Sequence, residues 1–178
     1  ESESIVIAAR NLALAEAKGL DLVTPCSSCY VTLNKANLHL QSHPKLLTQV
    51  NEALSVAGLK YNGSVHVRQA ADMRINDVTI DGIAAKAKIK LSGLKVAPYY
   101  GCQLVRPDYG YDDMEFPQTL DRLIKGLGAE VVDFPLKARC CGGSLMLSEE
   151  DRVLGLTGRL LQNAAENGAQ CLITPCPL

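Results

Sequence analysis

The segment Leu22-Val23-Thr24-Pro25-Cys26 returns later in the chain as Leu172-Ile173-Thr174-Pro175-Cys176, at a constant offset of 150 positions. An Ala-Glu pair precedes it both times at that same offset, as Ala15-Glu16 and Ala165-Glu166. Self-similarity of this kind marks two copies of one supersecondary unit. Each copy begins in an apolar stripe at helical spacing: Ile5, Ala8, Ala9, Leu12 and Ala15 in the first, Val153, Leu156, Leu160 and Ala164 in the second. The stripes close on Lys18-Gly19 and Asn167-Gly168, where glycine supplies a helix C-cap. A run too brief for a helix follows and is stopped by Thr-Pro, because the residue before proline favours extended backbone. The unit is therefore helix, strand, cysteine turn. It predicts a first helix over 1–18 and a long last helix capped by Ser148 with Glu149 and Glu150.

Between the copies, helices are predicted from Cys29 to Gln41 and from Pro44 to about Ala57, and a short strand around Val65 and Val67. Helical pieces without a motif continue to about Lys90. Gly93 to Tyr100 reads as a strand that delivers Cys102 to its C-terminal end. A helix from Pro117 to Gly126, a β-rich run from Ala129 to Phe134 and the glycine-rich turn Arg139-Cys140-Cys141-Gly142-Gly143 follow. The expected fold is α/β, two related lobes with short parallel strands flanked by helices and cysteines at the strand C-terminal ends. Residues 1–60 are expected to be the later part of a first repeat, 61–92 a connecting segment, and 93–178 a second repeat.

Charge narrows the partners. Eighteen basic against nineteen acidic side chains leave a net charge of -1, which offers no footprint for a nucleic-acid backbone. The aromatic fraction of 4%, with no Trp, supplies few platforms for stacking bases. Seven cysteines are an odd number and too few for a disulfide scaffold, which points to thiol or metal chemistry in a reducing compartment, hence a cytoplasmic protein. No apolar run is long enough to span a membrane. The chain opens at Glu1 without a Met and closes at Leu178, one residue short of completing a cysteine pair like Cys26 and Cys29, so it reads as a fragment of a longer protein.

Cys102, Cys140, Cys141 and Cys176 all follow expected strands, and the crevice beyond the carboxyl ends of parallel strands is where α/β folds place ligands. Adjacent cysteines rarely close on one tetrahedral zinc, whereas a multi-iron cluster offers each thiolate a different iron. The Cys140-Cys141-Gly142-Gly143 unit therefore favours iron and sulfur over zinc. Other readings stay open. Cys26-Ser27-Ser28-Cys29 at a helix start has the form of a thioredoxin-like dithiol, and four of the thiolates would satisfy a structural zinc. Cys171 lies inside a strand and reads as a buried apolar thiol. His39, His43 and His66 read as surface residues, and Arg106 and Arg139 as either surface cations or a balance to thiolate charge. No side chain stands out as catalytic.

These motifs resemble the CCG cysteine-rich domain family, and within it the B subunit of heterodisulfide reductase and its bacterial relatives. The family pattern is a lone Cys, a Cys-Cys-Gly and a Cys-x-x-Cys, present twice, each copy holding a noncubane [4Fe-4S] cluster. Here Cys102, Cys140-Cys141-Gly142 and Cys176 follow that order, Cys26 and Cys29 stand for the end of the other copy, and Tyr99-Tyr100-Gly101-Cys102 with Arg106-Pro107 adds to the likeness. Gln103 stands where family members often carry His. The resemblance implies a cofactor-binding set of Cys26, Cys29, Cys102, Cys140, Cys141 and Cys176, with Cys102, Cys140, Cys141 and Cys176 as metal ligands of one cluster. It implies reductive cleavage of a small-molecule disulfide between two clusters, electron-donating iron-sulfur or flavin partner subunits, and membrane association through such partners alone. In the 178-residue chain by itself, zinc or no metal is expected in place of the cluster. The alternative is a non-catalytic zinc-binding or assembly module of a quinone- or organic-acid-linked redox complex.

Overall fold

A computed structural model describes residues 2–177, apart from the side chain of Ser2. They divide into two compact units, the first ending at Gln69 and the second beginning at Ala70.

The first unit carries α1 (Ser2–Glu16), β1 (Leu22–Thr24), α2 (Ser27–Ser42), α3 (Pro44–Ser55) and β2 (Val67–Gln69). Helix α1 stops because Gly19 takes a left-handed φ of 63°, which lets the N–H of Gly19 reach the carbonyl of Glu16 at 2.9 Å and that of Leu20 reach Ala15 at 3.1 Å. The chain then enters β1, which pairs in parallel with β2, Leu22 opposite Val67 and Thr24 opposite Gln69. Ala9, Leu12, Ala13, Leu40 and Tyr61 are wholly buried. A polar residue also sits inside this core. Asn37 donates to the carbonyl of Val65 at 2.9 Å and accepts from the hydroxyl of Tyr61 at 2.5 Å, so its burial leaves no polar atom stranded.

The second unit opens with α4 (Ala70–Met73), a π-helical stretch (Arg74–Thr79) and α5 (Ile80–Lys86). It continues through β3 (Lys95–Pro98), α6 (Gly101–Val105), α7 (Thr119–Gly126), β4 (Glu130–Val131), a 3-10 turn (Gly143–Leu145), α8 (Glu150–Glu166) and β5 (Cys171–Ile173). The sheet order is β4-β3-β5, all parallel. Period-two alternation along β3 sends its side chains to opposite faces. Val96 joins Ile124 of α7 and Ala129 in one cluster, while Ala97 and Tyr99 join Phe134 with Leu160 and Ala164 of α8 in another. The fold is α/β, a parallel sheet between helices, and its three strand ends point the same way.

Two sequence expectations need correction here. Ser148 does not cap α8. The cap position is Glu149, with no side-chain bond, and the Ser148 hydroxyl instead donates to the carbonyl of Leu145 at 3.3 Å, closing the preceding turn. Cys171 is exposed, not buried. Among the described residues β5 is an edge strand, and alternation directs Leu172 to the core cluster while Cys171 and Ile173 face outward. His39, His43 and His66 are exposed as expected.

Candidate functional site

The end of β3 runs directly into Tyr99-Tyr100-Gly101 and places Cys102 in the first turn of α6. The segment after β4 is fastened to it. The N–H groups of Tyr100 and Gly101 both donate to the carbonyl of Lys137, at 2.8 and 3.2 Å, and the hydroxyl of Tyr99 donates to the carbonyl of Arg139 at 2.8 Å. These bonds bring the Cys140-Cys141 turn against Cys102. Cys140 is then close enough to Cys102, and Cys141 to the Tyr99 hydroxyl, for each to raise its neighbour's pKa.

The turn itself depends on Gly142, whose φ of 85° is left-handed. A Cβ there would stand 2.9 Å from Leu156 Cδ1 and 3.4 Å from Val153 Cα, so α8 packs directly on the bare backbone. The backbone then points donors at sulfur. The N–H of Gly142 reaches Cys140 Sγ at 3.3 Å and that of Gly143 reaches Cys141 Sγ at 3.4 Å. Thr157 of α8 donates to the carbonyl of Cys141 at 3.2 Å and holds the turn from the other side.

Electrostatics follow from this crowding. Burial first, and then the nearby Cys140 and Cys141, push the Cys102 thiol up to about 11. Burial and the same thiols also push the Tyr99 phenol up, keeping it a neutral donor. Tyr100 is raised as well, by burial and by the bond it gives to Asp121. Asp121 in turn faces Lys137 at 3.6 Å.

Cys176 follows β5, and its N–H donates to Thr174 Oγ1 at 3.3 Å. In the first unit the N–H of Cys26 donates to Thr24 Oγ1, also at 3.3 Å. The sequence repeat is thus a repeat of structure down to one hydrogen bond. Cys26 then caps α2, its sulfur accepting the N–H of Cys29 at 3.5 Å. Burial pushes the Cys26 thiol up, but the Cys29 N–H and thiol and the Ser28 N–H outweigh it and hold the thiol below its ordinary range. Beside it the hydroxyl of Ser27 is buried with no hydrogen-bond partner among the described residues. Cys29 is exposed.

All seven cysteines are free thiols. Among the described residues no three His, Cys, Asp or Glu side chains stand together at metal-holding positions as placed. The donor set nevertheless suits a soft, thiophilic group, since Cys102, Cys140 and Cys141 come from two strand ends and meet where backbone N–H groups already address sulfur. Arg106 is paired with Glu115 at 2.6 Å. Arg139 contributes its carbonyl to the site, and its exposed guanidinium is free among the described residues. Sequence reasoning missed Tyr99, Thr157 and Lys137. The adjacent Tyr99-Tyr100 before a cysteine was the one local signal. The others act across long sequence separations.

A parallel sheet whose strand ends deliver thiols to one edge defines a thiol-presenting α/β domain. The chain belongs to the CCG cysteine-rich domain family, whose sequence profile matches residues 1–34 and 96–178. It is similar to the 8-methylmenaquinol:fumarate reductase membrane anchor subunit of Wolinella succinogenes, 35% identical over 177 residues, covering 98% of this chain and 61% of that protein. A protein of Archaeoglobus profundus named as like the B subunit of heterodisulfide reductase is 35% identical over 176 residues, covering 96% and 59%. The B subunit of the ferredoxin:CoB-CoM heterodisulfide reductase of Methanosarcina mazei is 29% identical over 177 residues, covering 97% and 59%. The chain thus spans about three-fifths of the length of these relatives. Its fold is shared with a crystal structure of a hypothetical protein from Helicobacter pylori, with a TM-score of 0.73 at 19% identity, covering 97% of this chain and 30% of that one. No helix among the described residues is long and apolar enough to cross a membrane.

Proposed function

We propose that this chain is part of an iron-sulfur oxidoreductase subunit of the heterodisulfide reductase B type, which reduces a small disulfide-type substrate with electrons from partner subunits. The observation that carries the reading is the meeting of Cys102, Cys140 and Cys141 at the ends of parallel strands, with Gly142 and Gly143 N–H groups on the two sulfurs of the turn. In this reading Cys102, Cys140, Cys141 and Cys176 hold one noncubane four-iron cluster, and Cys26 and Cys29 belong to a second. Such a cluster, when bound, supplies one-electron transfer. The protein's own part is to present the thiols, to orient them through Tyr99 and Thr157, and to donate backbone N–H groups that favour negative sulfur. Residues 1–60 are then the later part of one repeat, 93–178 a second, and 61–92 the connector, within which β2 joins β1.

Partner subunits are iron-sulfur or flavin proteins in this proposal, the protein works at the cytoplasmic side, and any membrane contact runs through partners. A second reading is favoured by the Wolinella relative's name, which ties it to a quinol-linked reductase of an organic acid. There the same domain passes electrons or docks subunits without touching the substrate.

The test is metal analysis of the longer protein to which this chain belongs in this reading, purified without oxygen. Iron and sulfide are expected, and Cys140→Ala or Cys141→Ala is expected to remove most of the iron held by the second repeat. Iron content unchanged in both variants overturns the assignment, and zinc in place of iron selects the structural module.

A further inference from the structure

Two of the three histidines, His39 and His43, stand four positions apart where α2 ends. On a helix that spacing places side chains one above the other on a single face. The structure brings the two rings together, with centroids 4.2 Å apart and planes tilted by 37°. Both residues are exposed, so the face they share opens to solvent.

The surroundings arrange these rings as ligands. His43 Nδ1 lies 2.9 Å from the carbonyl oxygen of His39. That oxygen can only accept, so Nδ1 carries the proton and Nε2 of the neutral ring keeps its lone pair. Metal-binding imidazoles are commonly held in this way, the second nitrogen donating to a backbone carbonyl that fixes tautomer and ring orientation. The backbone is fixed as well. His43 ends α2 and begins α3, its N–H bonds to the carbonyl of Leu40 at 3.4 Å, and Pro44 sets the first turn of α3. Two imidazoles bound at right angles to one ion have ring centres about 4.5 Å apart, given metal–nitrogen bonds of about 2.0–2.1 Å. The observed spacing is close to that. The rings also sit at the C-terminal end of a helix of 16 residues, where the last carbonyls favour a cation.

We propose that His39 and His43 form a two-imidazole site for a borderline divalent transition-metal ion, zinc or nickel. Imidazole suits such ions, whereas magnesium and calcium take oxygen ligands. Among the described residues no third His, Cys, Asp or Glu completes the set, so water fills the remaining positions and the ion is exchangeable. The site shares no residue with the cysteine turns and does not rest on the function proposed above.

The test is NMR of the full chain with isotope-labelled histidine rings, titrated with Zn²⁺. All seven cysteines are at least partly exposed, and blocking them first with N-ethylmaleimide removes the thiols as competitors. The ring signals of His39 and His43 are expected to move together along one saturation curve, while those of His66, also exposed, stay in place. Mg²⁺ is expected to move none of them. His39→Gln and His43→Gln should each weaken zinc about ten-fold or more, and the double variant should add little to either, because the two rings act as one chelate. Equal movement of all three histidines, no movement at millimolar zinc, or full affinity kept in either single variant overturns the proposal. The comparison with His66 is made within the unsubstituted chain, so it decides the matter even where a variant fails to fold.

Discussion

Cys26 and Cys102 both stand just beyond the end of a parallel strand, and their thiols are tuned in opposite directions. Cys26 starts α2, where backbone N–H groups converge on its sulfur and outweigh the effect of burial. Cys102 is pressed among other thiols, and burial together with Cys140 and Cys141 pushes it up to about 11. One helix start can steady one thiolate. At Cys102, burial and the neighbouring thiols favour the neutral form. The same place beyond a strand end thus favours the thiolate in the first unit and the neutral thiol in the second.

Packing separates the units most strongly. Gly142 holds both a left-handed φ of 85° and close contact with Leu156, so Gly142→Ala is expected to cost about 2–4 kcal/mol from strain and overpacking. Gly19 has a similar φ of 63° but open space around it. Gly19→Ala should cost only about 1 kcal/mol. Urea unfolding of both variants checks this, and equal losses would show that backbone conformation alone matters in each turn.

Thiol reactivity is the next largest contrast. In metal-free, reduced protein at mildly alkaline pH, Cys26 is further along its titration than Cys102, whose thiolate appears only near pH 11. Iodoacetamide followed by peptide mass spectrometry should label Cys26 about ten-fold faster or more, a factor equivalent to one pKa unit. Equal labelling would remove the opposed tuning.

The two repeat glutamates differ more modestly. Glu16 accepts four hydrogen bonds, from the backbone and side chain of Asn62 and of Ser64, all between 2.7 and 3.0 Å. Glu166 receives one, from Gln162 at 2.8 Å. Burial pushes the Glu16 carboxyl up, but the bonds from Ser64 and Asn62 outweigh it and hold its pKa below the ordinary 4.5. Because the folded value is depressed, this stabilisation is complete above about pH 4.5 and is lost as pH falls through the folded value. Glu16→Gln is expected to cost about 1–2 kcal/mol at neutral pH, after allowance for the site's exposure. Glu166→Gln should stay within about 0.5 kcal/mol. A loss for Glu16→Gln that persists unchanged at pH 3 would mean that its charge is not what binds the loop.

The smallest effect falls on the seventh cysteine. Cys171→Ser is expected to change stability by less than about 0.5 kcal/mol and to leave iron content intact, because the side chain is exposed and faces away from the core. Loss of iron in that variant would redraw the ligand set.

The repeat made much of this arrangement readable in advance. Thr-Pro-Cys after a short apolar run forces a strand to end in a turn, and both copies do so with the same Thr hydroxyl bond. Glycines after helical stripes marked the ends of α1 and α8 correctly, because those caps are local. What failed was non-local. The β-rich run from Ala129 to Phe134 yields a strand of only Glu130 and Val131, since Phe134 leaves the ladder to fill the core beside Tyr99. The start of α7 is capped by Asp112, which takes the N–H groups of Gln118 and Thr119 at 2.9 and 2.6 Å from several residues upstream. The neutral tuning of Tyr99 and the placement of Lys137 likewise depend on residues some 40 positions apart, and no local pattern announces them.

The register of the second sheet also sets a timetable. Strand β3 is central, yet its partner β5 is made last, and the bond from the N–H of Lys95 to Gln170 Oε1 spans 75 residues. At the roughly 5–20 residues per second of synthesis, Cys102, Cys140 and Cys141 all exist some seconds before Cys176 emerges. During that interval one side of β3 is an open parallel edge, the kind of surface on which strands from other chains pair. The arrival of β5 closes that edge and brings Cys176 to the strand end in the same movement, so completing the sheet and placing that thiol are one folding event.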